Sequence, residues 1–118
     1  MTKETFVQAV RIAVAESSAS GVVEELKKPI GRKPSSESIK RSEWFNRLSI
    51  SDQQMVVEAV NLTANRATFG FFAVLDNVRS IETQGVKGDL ELAFVKEGKR
   101  VILNDSAQED LHDIFNRS

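Results

Sequence analysis

Between positions 55 and 75 the side chains Met55, Val56, Ala59, Val60, Thr63, Ala67, Phe71, Val74 and Leu75 fall on a 3.6-residue period, the spacing that makes one face of an α-helix apolar. A helix from Asp52 to about Asp76 would rise roughly 37 Å at about 1.5 Å per residue. That length matches the diameter of a folded chain of this size, so a compact fold has to be arranged around this rod as its central helix. Ser51-Asp52-Gln53-Gln54 precedes it as a capping box, with the Ser51 hydroxyl accepting from the Gln54 N–H and the Gln54 side chain reaching back. Gly70 interrupts the apolar run at about 1 kcal/mol of helix propensity, which predicts a close backbone approach there.

Upstream, Phe6, Val10, Ala13 and Val14 at helical spacing give a first helix, with Thr2 able to cap it. Ser17-Ser18-Ala19-Ser20-Gly21 is expected to end or kink it, and a short helix resumes through Val22, Val23 and Leu26 before Pro29. Pro29, Gly31, Pro34, Ser35 and Ser36 carry no apolar period, which reads as a linker. A further helix is expected from Glu37 or Ser38, carrying Ile39, Trp44, Phe45 and Leu48, the last three on one broad buried face.

Past the rod, Val78 to Glu82 reads as a short strand and Gln84 to Gly88 as a turn. Leu90, Leu92 and Phe94 then alternate with Glu91, Ala93 and Val95, the pattern of a half-buried strand. Glu97-Gly98 as a two-residue hairpin turn pairs Phe94 with Val101, Leu92 with Leu103, Val95 with Arg100 and Ala93 with Ile102. A second capping box, Ser106-Ala107-Gln108-Glu109, is expected to open a last helix carrying Leu111, Ile114 and Phe115. The expected class is therefore α+β: a mostly helical N-terminal two thirds with one long central helix, then a small antiparallel β-hairpin or meander and a C-terminal helix. One domain, 1–118, is expected, made of an N-terminal helical segment 1–28, a basic flexible linker 29–36 and a main α+β body 37–118.

Cysteine is absent, which excludes disulfides, thiolate zinc sites and cysteine nucleophiles and fits a reducing, cytoplasmic setting. The most apolar run, Ala67 to Leu75, is far short of the ~20 residues of a membrane span, so no membrane partner is expected. No phosphate loop, dinucleotide glycine fingerprint, Gly-x-Ser-x-Gly elbow or His-Glu-x-x-His pair occurs. With a single histidine and no cysteine, neither a cofactor nor a metal is expected.

Three sets of residues remain as candidates. Seven basic and two acidic residues lie between positions 27 and 47, a local charge of +5 in a chain of net charge −1. Arg32, Lys33, Lys40 and Arg41 are the nucleic-acid candidates there. With no aromatic interleaved among them, a solvated linker is the preferred reading. In "VLDNVRSIE", Asp76 falls at the C-terminal end of a long helix, where the dipole disfavours a carboxylate by about 0.3–1 kcal/mol. It should have a partner: Arg79, Arg66, or a bound cation. Asn77 suits a left-handed helix end, so Asp76, Asn77 and Arg79 form the candidate ligand site.

His112 can pair with Glu109, stay solvated, or act as a base oriented by Asp76 or Asp113. Asp76, Glu82 and His112 are accordingly the candidate catalytic set of an acid–base or metal-assisted enzyme. The favoured function is a non-catalytic protein–protein interaction or regulatory module whose partner is another protein or itself, as a homodimer through the N-terminal helix. A nucleic-acid-associated protein and the enzyme are the alternatives.

Overall fold

The computed structural model describes residues 1–118. Its helices are α1 (Lys3–Val10), α2 (Ser17–Lys27), α3 (Ser36–Arg47), α4 (Ile50–Leu75) and α5 (Leu111–Arg117), and its strands are β1 (Ala93–Lys96) and β2 (Lys99–Ile102). This is the α+β class expected, with a two-stranded antiparallel sheet and a C-terminal helix. The chain groups into two units, Met1–Ile12 with Arg66–Ser118, and Ala13–Asn65. The unit boundaries fall inside the segments 1–28 and 37–118 and leave 29–36 whole within the second unit.

The first unit is organised by Val7, Phe72, Leu111, Ile114 and Phe115, with Phe6, Val10, Phe69, Leu75 and Leu92 packed around them. Thr2 caps α1 by accepting from the Thr5 N–H. Helix α1 then packs on α5 of its own chain, and Phe6 meets Phe72 edge-on at 6.1 Å. Lys3, buried in the first turn, donates its ammonium to the carbonyls of Asp105 and Glu109 at 2.6 and 3.2 Å and pairs with the Asp105 carboxylate at 3.1 Å. A buried lysine is tolerated because all these oxygens replace its lost water.

The hairpin has the predicted register: Ala93 opposes Ile102, Phe94 opposes Val101 and Val95 opposes Arg100, while the Leu103 N–H reaches the Leu92 carbonyl. Its turn residues Glu97 and Gly98 have φ of 52° and 76°, the left-handed pair of a type I′ turn. Glutamate is strained there and asparagine less so. Glu97→Asn should therefore raise stability by about 0.5–1 kcal/mol, read as an upward shift of the thermal midpoint.

Val78 to Glu82 forms no strand. The Ser80 hydroxyl donates to the Glu82 carbonyl and accepts from the Glu82 N–H, a local bond set that bends the chain before it can pair. Two asparagines anchor the chain on either side of the hairpin. Asn77 exchanges both amide hydrogen bonds with the Leu90 backbone, and Asn104 joins the Leu75 and Leu90 carbonyls and accepts from the Leu92 N–H.

In the second unit, Ser17 to Gly21 neither ends nor kinks the N-terminal helix. The irregularity sits upstream, as a π-helical stretch at Arg11–Glu16, and α2 begins directly after it. Residues 28–35 connect α2 to α3, which pack on each other. Ser35 caps α3 through the Ser38 N–H. The buried face of α3 is Ser38, Ser42 and Phe45, whereas Trp44 is 47% exposed and Ile39 is exposed too. The expected shared face of Trp44 and Phe45 is thus wrong, because two small serines in phase with Phe45 bring α3 close to α2. Their polar groups are met by Glu25 and Asn46.

Helix α4 is unbroken, as expected, but starts at Ile50. Ser49, not Ser51, is its cap, accepting from the Asp52 N–H at 3.1 Å. Its buried residues, Thr68, Gly70, Phe72 and Ala73, all lie in the C-terminal half. The face expected inside is largely outside: Phe71 is 62% exposed, and Met55, Ala59, Thr63 and Ala67 are exposed as well. Apolar residues surround much of this helix, so its period alone cannot pick the buried face.

Candidate functional site

Helix α4 closes with a Schellman arrangement: the Val78 N–H reaches the Ala73 carbonyl and the Asn77 N–H the Val74 carbonyl, with Asn77 left-handed at φ 63°. That geometry aims Asp76, the last residue before the reversal, at the start of α5. Its Oδ1 accepts from the Leu111 N–H at 3.1 Å, and its Oδ2 accepts from the His112 N–H at 2.8 Å and lies 2.7 Å from His112 Nδ1. The Asp76 side chain is 1% exposed. Its partners are therefore the N-terminal N–H groups of α5 and an imidazole, and it forms no ion pair with Arg66 or Arg79. The carboxylate disfavoured at the end of one helix is favoured at the start of the next.

The same contact explains why Ser106-Ala107-Gln108-Glu109 does not open the last helix. Its start is delayed to Leu111, where Asp110, the local cap residue, makes no side-chain cap bond and Asp76 supplies the capping oxygens. Glu109 is taken by Arg117, whose Nε lies 3.0 Å from both oxygens. That hydrogen bond holds the Glu109 carboxyl below its ordinary pKa.

As chemistry, an Asp–His pair holds Nδ1 as donor and leaves Nε2 free to accept a proton. Here Nε2 lies 3.5 Å from the Asp113 carboxylate, and the ring stands edge-on to Phe69 at 5.6 Å. Candidate ligand atoms of Asp76, Asp110 and His112 approach within 4.8 Å of one another. Two N–H donors and the positive end of a helix face this carboxylate, an environment that favours negative charge over a bound cation. Of the expected catalytic set, Asp76 and His112 are brought together. Glu82 instead accepts from the Gly88 N–H at 3.4 Å.

Glu82, Asn77 and Arg79 line a cavity of about 110 Å³ with Lys87 and Asp89, a space for a few waters. Asp76 does not line it, so the expected ligand trio is divided between two places. The close approach predicted at Gly70 is made by the Arg79 side chain: a Cβ on Gly70 would lie 2.6 Å from its Nη1.

Arg32 and Lys33 lie exposed in the α2–α3 connection, and Lys40 and Arg41 lie exposed on α3. Trp44 follows Lys40 by four residues and Arg41 by three, and Arg47 follows Trp44 by three, so one face of α3 carries an exposed indole among cations. An aromatic does therefore stand among the basic side chains, contrary to expectation.

An apolar groove of the second unit is one feature that sequence reasoning misses. Ala19 and Val22 of α2 and Val56, Ala59, Val60 and Thr63 of α4 line an open, almost wholly apolar groove of about 470 Å³. Beside it Met55 and Leu62 are 65% and 55% exposed. Its signal in the sequence is the apolar period on α4, which reads as an interior face. No helix is long and apolar enough to cross a membrane. Comparison of the chain with protein-family models, with curated proteins and with solved structures gives no match.

Proposed function

We propose that the protein is a non-catalytic interaction module that docks a protein through the apolar face shared by α2 and the first half of α4. The observation that carries this reading is the exposed apolar surface on a unit with a thin core. The buried apolar side chains of Ala13–Asn65 are Ala15, Ala19, Leu26 and Phe45. A unit of roughly fifty residues is marginal even with a full core. Covering Met55, Leu62 and the groove would supply apolar burial that its own chain does not. Patches of this kind mark interaction sites. The absence of cysteine suits work in the cytoplasm.

The test is a photo-reactive amino acid at position 62 in the full chain inside cells. A discrete adduct of one defined mass is expected, lost when Val60→Asp disrupts the groove. No adduct, with the protein folded, would overturn the reading.

A second reading, nucleic-acid binding, is favoured by the Trp44 face of α3. Stacking of a base on an indole flanked by Lys40, Arg41 and Arg47 suits single strands. Trp44 is the sole tryptophan, so its fluorescence reports directly. On this reading a single-stranded oligonucleotide quenches it, and added salt or Lys40→Ala with Arg41→Ala reverses the quenching. Unchanged fluorescence removes the reading.

A further inference from the structure

On α4, Asp52, Met55, Ala59, Leu62 and Arg66 are spaced three, four, three and four residues apart, and all five are exposed. That spacing is the seam of a two-helix coiled coil. It is apolar in the middle, acidic at one end and basic at the other. We infer that a second copy of this chain covers it, α4 against α4, antiparallel about a two-fold axis beside Ala59. The inference rests on the docking reading above and names its partner.

Charge sets the direction. Asp52 and Arg66 stand seven residues to either side of Ala59. Antiparallel pairing centred there places Asp52 of each copy beside Arg66 of the other, twice. Parallel pairing would stack aspartate on aspartate and arginine on arginine, which like-charge repulsion opposes. Shape sets the centre. Ala59 presents only a methyl group, so the helix axes can approach to about 8 Å, the short end of helix packing distances.

The surface is also self-complementary. Met55 and Leu62 form a ridge, and the adjoining groove is lined by the smaller Ala19, Ala59 and Thr63. The antiparallel two-fold sets the two ridges side by side, Met55 of each copy beside Leu62 of the other, as an isologous interface requires. Glu58, the remaining charge between Asp52 and Arg66, flanks the seam next to Ala59, where the two copies' carboxylates face each other across the axis, so Glu58→Gln should tighten the pairing.

Light scattering on the full chain should give twice the 13.1 kDa chain mass. Asp52→Arg or Arg66→Asp alone replaces two attractive pairs by two repulsive ones and should weaken the dimer about tenfold. The double variant, with both reversed, should recover the wild-type constant. Because the chain has no cysteine, Ala59→Cys gives a single thiol, which should form a disulfide-linked dimer on mild oxidation. Asn61→Cys, on the opposite side of the helix, should not.

Circular dichroism separates loss of fold from loss of pairing in each variant. A folded wild-type monomer across the micromolar range, with no Ala59→Cys dimer, overturns the proposal. If the position-62 adduct then has another protein's mass, the docking reading stands and only the second copy falls. If no adduct forms either, both fall.

Discussion

Phe72→Ala lowers the free energy of unfolding by about 3–5 kcal/mol, whereas Phe71→Ala changes it by less than about 0.5 kcal/mol. The two residues are neighbours on α4 and chemically identical, so the difference reads burial alone. Phe72 is in the central cluster with Val7, Leu111, Ile114 and Phe115, and its ring meets Phe6 edge-on and Phe115 at 5.4 Å. Truncating it leaves a cavity bounded by three helices of one unit, which cannot all close upon it. Phe71 points to solvent. Denaturant unfolding of both variants measures the contrast, and equal costs would show that α4 is rotated from the orientation described.

Asp76→Ala is expected to cost about 2–4 kcal/mol, the sum of a lost helix cap and of hydrogen bonds to a buried charged acceptor. The substitution leaves the Leu111 and His112 N–H groups and the imidazole without their shared acceptor. Amide exchange at Leu111 and His112 should quicken first, since the start of α5 then frays before the rest of the unit opens. Glu82→Ala, an exposed residue outside that network, should stay within about 0.5 kcal/mol of the wild type. A small loss for Asp76→Ala would mean that the Asp76 contact is incidental to the join between α4 and α5.

Local features are the ones legible in the sequence. The α4 rod, the left-handed Asn77 at its end, the Thr2 cap and the Glu97-Gly98 hairpin with its full register depend on residues a few positions apart. Errors arise where distant partners compete with local signals. Ser106 to Glu109 offers a sound capping box, yet the helix starts later because Asp76, thirty-six residues before His112, supplies the cap. Lys3 carries no local signal, because its carbonyl partners lie more than a hundred positions away. Trp44 and the first half of α4 read as interior because apolar side chains are normally covered. Here they are exposed within a thin-cored unit, and that assumption conceals the candidate docking face.

Peroxide oxidation of Met55 reads whether the proposed α4 docking face is covered in the working protein. Met55 is 65% exposed in the single chain, so uncovered it should oxidise nearly as fast as in the urea-unfolded chain. With the same peroxide in the same cells, Met55 of the wild type should oxidise several-fold more slowly than Met55 of the Val60→Asp variant. Equal rates in the two proteins would contradict a covered face.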